Sequence, residues 1–195
     1  MKKILVVDNY DSFVFNIVQL LRESPEAVDW EVVRNDAIDF SRLRSYAGIL
    51  ISPGPGLPVE AGELLPLIEY CKNTHPMLGI CLGHQAIAEV FGASLSHLSA
   101  PLHGHRSALR VVDPRDLLLN GLEDPVTVGR YHSWVVAPET MPADLRVSSF
   151  DEQEHIMSFY HVSLPIHGIQ FHPESCISSC GREIMANWLA SLRKL

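Results

Sequence analysis

No run of apolar residues in this chain approaches the roughly 18 needed to cross a bilayer as a helix. The opening Met1-Lys2-Lys3 is followed only by Ile4-Leu5-Val6-Val7 before Asp8, which is shorter than the ~7–15-residue apolar core of a secretory signal. Basic residues are also scarce. Fifteen Lys plus Arg stand against 23 Asp plus Glu, a formal charge of −8, and such a balance repels polyanions and offers no field to draw in a phosphate backbone. These absences predict a chain that remains in the cytoplasm and takes neither a membrane nor a nucleic acid as its ligand. The acidic surplus reads as a solvated face that aids solubility.

The cysteines are few and badly spaced for a metal or redox pair. They stand at 71, 81, 176 and 180, with no C-x-x-C of the kind a zinc knuckle or a thioredoxin-like site needs, and they read as free thiols in a reducing compartment. Ten histidines are present, His103 and His105 close together among them, but no H-E-x-x-H or clustered Cys/His set accompanies them, so no metal site is expected. Linkers, repeats and low-complexity stretches are missing as well. What remains is 195 residues with 47% hydrophobic content. That is enough to bury roughly 70% of the unfolded chain's surface, and it predicts one domain over 1–195.

Short β-branched runs alternate with helical periodicity through the first half, the pattern of βαβ units and a parallel sheet. Strands are expected at Ile4 to Val7, Trp30 to Arg34, Gly48 to Ser52 and Met77 to Ile80. A helix carrying Phe13, Ile17, Leu20 and Leu21, capped by Asp11 or Ser12, follows the first strand; others are expected from Gly62 to about Lys72 and from Gly83 to Phe91. The second half reads as short strands near 109–112, 126–137, 145–149, 155–162 and 166–171, then a helix from Arg182 to Leu192. The fold class is therefore α/β, an open and mostly parallel sheet flanked by helices with a mixed or antiparallel extension.

Three stretches carry chemistry. Gly79-Ile80-Cys81-Leu82-Gly83 places a cysteine between a buried strand and a helix, with glycines two positions to either side, the spacing of a nucleophile elbow. At a helix N-terminus the macrodipole and free N–H groups favour the thiolate; an unperturbed thiol is only a few per cent ionised at pH 7. The plainer alternative is a core cysteine. Gln170-Phe171-His172-Pro173-Glu174 offers a base and its orienter. Residues two apart in an extended chain point the same way, so the Glu174 carboxylate can bond one imidazole nitrogen of His172 while the other faces a thiol, and Pro173 stiffens the segment. The plainer alternative is a strand end with an exposed His and Glu. Ser52-Pro53-Gly54-Pro55-Gly56-Leu57-Pro58 follows a parallel strand, where open α/β sheets bind ligands. The Gly56 N–H, with that of Leu82, would form an oxyanion hole. A phosphate loop is disfavoured because neither G-x-x-x-x-G-K-[ST] nor a helix-opening G-x-G-x-x-G is present. A simple Pro/Gly turn is the remaining alternative.

With Pro53-Gly54-Pro55-Gly56, Gly79-Ile80-Cys81-Leu82-Gly83-His84-Gln85 and Phe171-His172-Pro173-Glu174 in this order, the sequence resembles the class I (triad-type) glutamine amidotransferases over nearly its whole length. Val7-Asp8-Asn9-Tyr10-Asp11-Ser12-Phe13 and Arg130-Tyr131-His132-Ser133 look like the branch that serves anthranilate synthase and aminodeoxychorismate synthase. The resemblance implies a flavodoxin-like fold, a Cys81–His172–Glu174 triad that forms a γ-glutamyl thioester, and release of ammonia and glutamate. It also implies glutamine contacts from Gly54, Pro55, Gly56, Gln85, Ser133 and the Trp134 backbone, with oxyanion donors at Gly56 and Leu82. No cofactor is implied in this component, and a separate chorismate-binding synthase subunit (component I) is implied as partner in a hetero-oligomer. Two positions depart from the family. His103-Gly104-His105 stands where His-Gly-Lys is common, which removes a positive charge from a region expected near the partner, and Trp134 stands where leucine commonly follows the serine. A γ-glutamyl hydrolase or peptidase on the same scaffold, or a non-catalytic regulatory subunit, are the alternative functions. His132, His155, His161 and His167 are expected to be exposed or hydrogen-bonded structural residues, and Trp30 and Trp188 to serve packing.

Overall fold

The computed structural model describes residues 3–26 and 28–193; Met1, Lys2, Ala27, Lys194 and Leu195 lie outside the described residues, so only Lys3 of the opening basic stretch is seen. In chain order the elements are β1 (Lys3–Asp8), α1 (Val14–Glu23), β2 (Trp30–Arg34), β3 (Tyr46–Ile51), α2 (Leu64–Cys71), β4 (Met77–Ile80), α3 (Leu82–Val90) and β5 (Leu95–His97). They continue with β6 (His105–Val111), β7 (Val126–Arg130), β8 (Trp134–Val136), β9 (Leu145–Phe150), β10 (Ile156–His161), β11 (Ile166–Ile169) and α4 (Gly181–Leu192).

A nine-stranded sheet runs in the order β2-β1-β3-β4-β11-β10-β9-β6-β7. Its first five strands are joined by parallel pairs and the rest by antiparallel ones, which is the expected parallel sheet with an antiparallel extension. The four parallel strands inside the edge strand β2 are buried on both faces, and their alternation divides the core in two. Ile4, Val6, Leu50, Leu78 and Ile80 join Ile17, Leu21, Ile184 and Trp188 of α1 and α4 in one layer. Leu5, Val7, Ile49, Ile51 and Met77 join Leu64, Ile68, Ala86 and Ile87 of α2 and α3 in the other. Each large side chain so buried contributes roughly 1.5–3 kcal/mol. The helices are therefore clamped to both faces, and the strand ends are rigid supports for whatever follows them.

The structure departs from the sequence expectations where polar residues point inward or a strand changes partner. The 126–137 stretch is two strands. β7 stays in the large sheet, whereas β8 pairs with β5 in a separate two-stranded ribbon; Tyr131-His132-Ser133 turns the chain between them without a glycine or proline to signal it. β6 starts at His105 rather than 109, because its inward positions include Ser107 as well as Leu109. Neither Asp11 nor Ser12 caps α1. Phe13 occupies the cap position, and Asp11 instead accepts the Phe13 N–H at 2.7 Å in a turn just before the helix.

Candidate active site

Three adjacent parallel strands end side by side. Ile51 of β3 pairs with Gly79 of β4, and Ile80 pairs with Ile169 of β11. The segments that leave those ends, Ser52–Pro58, Cys81 and Gln170–Glu174, are thereby delivered to one edge of the sheet, where the order β2-β1-β3 reverses and open α/β sheets place their ligands.

Cys81 is held in a strained turn. Its φ of 51° and ψ of −99° lie in a region that L-residues occupy at a cost of about 1–3 kcal/mol. The two flanking glycines permit it. A Cβ on Gly79 would stand 2.4 Å from the Gly83 carbonyl oxygen, and one on Gly83 would stand 2.7 Å from that of Ile51. Gly83 thus lets α3 pack against β3, and the Cys81 N–H is tied to the Ile169 carbonyl at 2.8 Å. Leu82 is the first residue of α3, so its N–H belongs to the first turn, whose donors have no partner within the helix.

His172 is buried at 2% exposure. Its Nδ1–H donates to Glu174 Oε1 at 2.7 Å, while Nε2 is buried and has no hydrogen-bond partner in the protein. Desolvation opposes protonation of this ring, but the charge interaction with the nearby Cys81 sulfur, followed by the hydrogen bond and charge of Glu174, outweighs it and holds the imidazole well above its ordinary value of 6.5. Cys81, His172 and Glu174 are thus brought together. The loop that carries the histidine is pinned to β7: the His172 N–H donates to the Gly129 carbonyl at 3.0 Å, and Ser178 Oγ accepts the Gly129 N–H at 3.0 Å.

A cleft of about 310 Å³ opens over the sulfur, lined by Gly54, Pro55, Gly56, Cys81, Gln85, Ser133 and Trp134 together with His97, Pro101, Leu102, His103, Tyr131 and His132. All the expected glutamine contacts except Leu82 line it, and Leu82 adjoins through its position after Cys81. Its size falls in the ~300–1,000 Å³ range of small-molecule clefts. The loop of Gly54 is held from below: Asn9 donates to the Ser52 carbonyl at 2.8 Å and receives a hydrogen bond from Asn35 at 3.1 Å. A Cβ on Gly54 would stand 2.6 Å from that of Asn9. Gly56 has φ +72°, and Glu60 fixes the turn by accepting the Leu57 N–H at 3.0 Å.

Residues 5–192 match the model of the glutamine amidotransferase class-I family. The chain belongs to this family. The amidotransferase is 46% identical over 192 residues to anthranilate synthase component 2 of Mycobacterium tuberculosis, covering 96% of this chain and 81% of that protein. It is 40% identical over 193 residues to aminodeoxychorismate/anthranilate synthase component 2 of Bacillus subtilis, covering 98% and 97%, and 41% identical over 189 residues to aminodeoxychorismate synthase component 2 of Escherichia coli, covering 95% and 98%. Among solved structures, a Thermoplasma acidophilum protein named provisionally as a GMP synthase subunit superposes with a TM-score of 0.87 at 32% identity, over 100% of this chain and 95% of that one. A glutamine amidotransferase from Thermotoga maritima, at 20% identity and a TM-score of 0.73 over 98% and 82%, shares the fold.

Several residues of the amidotransferase site lacked a role in the sequence reading. Phe13 and Tyr131 stand edge-on to His172, with centroids 5.8 and 5.0 Å away, and hold the imidazole between them; in the sequence Phe13 read as a helix-face residue and both as marks of a family branch. His103 lines the cleft and meets Tyr131 at 5.6 Å, whereas His105 lies exposed in β6. The Trp134 ring stands edge-on to His97 at 4.9 Å. Its carbonyl accepts from Gln85 at 2.9 Å and from His132 at 3.0 Å, so a bound molecule would meet Trp134 through other groups. His132, His155, His161 and His167 are all hydrogen-bonded, and Trp188 is buried in the core. Among the described residues no group of three or more His, Cys, Asp or Glu is placed to hold a metal ion, and no helix is long and apolar enough to cross a membrane.

Proposed function

We propose that this amidotransferase, acting as one domain over 1–195, hydrolyses glutamine and passes the ammonia to a chorismate-utilising synthase subunit that makes anthranilate or aminodeoxychorismate. The observation that carries the reading is the buried Glu174–His172 pair facing Cys81 at the floor of the cleft; the names of the relatives supply the synthase. The Cys81 thiolate attacks the side-chain amide carbon of glutamine, forming an S–C bond. The resulting oxyanion is held by the Gly56 and Leu82 N–H groups, and each such donor is worth about a hundredfold or more in rate. Collapse breaks the C–N bond, and the His172 imidazolium gives its proton to the amide nitrogen, which leaves as ammonia. His172 then takes a proton from water as it attacks the thioester, and rupture of the S–C bond releases glutamate and restores the sulfur. Glu174 keeps the ring in the tautomer and orientation this exchange needs. Gly54, Pro55, Gln85, Ser133 and Trp134 line the place where the amino-acid end of glutamine would sit. Every protein group these steps use is a side chain or backbone amide of the chain itself.

The partner is the chorismate-binding component I, in a hetero-oligomer in the cytoplasm. The test mixes the protein with a cognate synthase and follows glutamate release and chorismate amination. Glutamine-dependent amination is expected. Hydrolysis of γ-glutamyl peptides without glutamine turnover would instead favour a peptidase, and silence with a cognate synthase would favour a regulatory subunit.

A further inference from the structure

Gln170 follows β11 and is fully buried. Its N–H is fixed to the Met157 carbonyl at 2.8 Å, and Cys81 is fixed to the neighbouring Ile169 carbonyl at 2.8 Å. Gln170 and His172 flank Phe171, which enters the core, in the bend that follows β11. The Gln170 side-chain Nε2 stands 3.6 Å from Cys81 Sγ as a hydrogen-bond donor.

The direction of that hydrogen bond is dictated by its neighbours. The Trp134 carbonyl can only accept, so the Gln85 side chain must present its NH₂ to it, at 2.9 Å. The same NH₂ donates to Gln170 Oε1 at 3.1 Å, which leaves the Gln170 NH₂ turned to the sulfur. The far end of the chain is equally constrained. Arg130 Nε, a donor only, reaches His132 Nε2 at 3.1 Å, so His132 must carry its proton on Nδ1 and donate it to the Trp134 carbonyl at 3.0 Å. Arg130 is in turn fixed by a buried ion pair with Asp151. A continuous chain of hydrogen bonds from Asp151 to Gln170, buried except where it passes the half-buried Trp134, thus aims one N–H at the sulfur.

We propose that Gln170 is a further catalytic residue, whose side-chain N–H holds the Cys81 sulfur in its attacking position and stabilises its negative charge before and after the thioester step. This rests on the reading of Cys81 as the nucleophile toward glutamine. The test compares Gln170→Met, which lacks the donor, and Gln170→Glu, which keeps the native shape and carries the test if the thioether variant does not fold. Two quantities are read: the rate at which iodoacetamide alkylates Cys81 in the free protein, by peptide mass mapping, and kcat and KM for glutamine in the complex with a synthase. In each variant alkylation at pH 7 is expected to slow about tenfold, the factor equivalent to about 1.4 kcal/mol, and kcat to fall similarly while KM stays within about twofold. Wild-type alkylation and kcat in a folded variant would overturn the proposal and leave the glutamine reading intact. Alkylation needs neither glutamine nor synthase. A wild type that never hydrolyses glutamine, with slowed alkylation in the variants, would therefore overturn the glutamine reading and support the sulfur contact.

Discussion

Gly181 opens α4 directly beneath the loop that carries the histidine and glutamate, and a single methyl group there is expected to disable the site without touching it. A Cβ at Gly181 would stand 2.0 Å from the Pro173 carbonyl oxygen and 3.0 Å from its carbon, where ordinary contact begins at 3.4 Å. Gly181→Ala must therefore push the Pro173 peptide, or the start of α4, by about 1.4 Å. Pro173 is bonded to both His172 and Glu174, so the imidazole moves with it, and a misplacement of about 1 Å costs on the order of a hundredfold in rate. The strain itself costs about 1–3 kcal/mol of stability, which lowers Tm by about 2–4 °C per kcal/mol in a chain of this size. Steady-state glutamine hydrolysis in the synthase complex, with a thermal melt alongside, is the assay. The expected result is kcat down about a hundredfold with KM little changed, because the Gly54–Gly56 loop and Gln85 are supported from elsewhere. Gly92→Ala is the control: it has a positive φ of 101° and open space around it, so it should lose about 1 kcal/mol to backbone strain and keep its kcat. A folded Gly181→Ala protein with wild-type kcat would refute the reasoning that links helix packing to the position of His172.

Further outcomes follow from the site and its burial. Cys81→Ser should abolish glutamine-dependent product formation by the complex while ammonia-dependent synthesis persists; loss of both in a well-folded complex would contradict that separation. His172→Ala removes the base and should cost about 10²–10⁴-fold, and Glu174→Gln should cost about tenfold less because orientation is lost before the base is; equal losses would remove support for the oriented base. Stability should fall by about 4 kcal/mol between pH 7 and pH 5. Burial pushes His84, and burial with Arg130 pushes His132, down to about 3 from 6.5, so both stay neutral when folded and take up protons first in the unfolded chain. His172, whose value is raised, contributes stability that is complete below 6.5 and fades only as pH rises above it. Urea titrations across this range check the fall, and His84→Leu should halve it.

The parallel half of the fold was legible because each of its strands is a short apolar run followed by an amphipathic helix, and the glycines around Cys81 mark a turn that few other residues tolerate. The antiparallel half was less so. Ser107, Ser149 and Ser158 point inward in strands whose cores rest partly on hydrogen bonds, which weakens the apolar alternation. The switch of β8 away from β7 depends on contacts with β5, a strand with a single partly buried leucine. At the site, Cys81, His172 and Glu174 could be proposed from spacing, since neighbouring parallel strands deliver their ends together. Phe13 and Tyr131 could not, because their grip on the imidazole arises from the packing of α1 and the β7–β8 turn against a loop about forty or more positions away.

The proposed mechanism requires Cys81 to be the sulfur that meets glutamine. Cys71 and Cys180 are buried thiols whose values burial raises to about 11 and about 12, and Cys176 is the exposed cysteine. Exposing the protein, in complex with a cognate synthase, to a chloroketone analogue of glutamine and mapping the adduct by mass spectrometry separates them. Modification of Cys81, suppressed by added glutamine and accompanied by loss of glutamine hydrolysis, is predicted. An adduct on Cys176 with Cys81 untouched, or labelling of Cys81 that glutamine does not slow, would contradict the account.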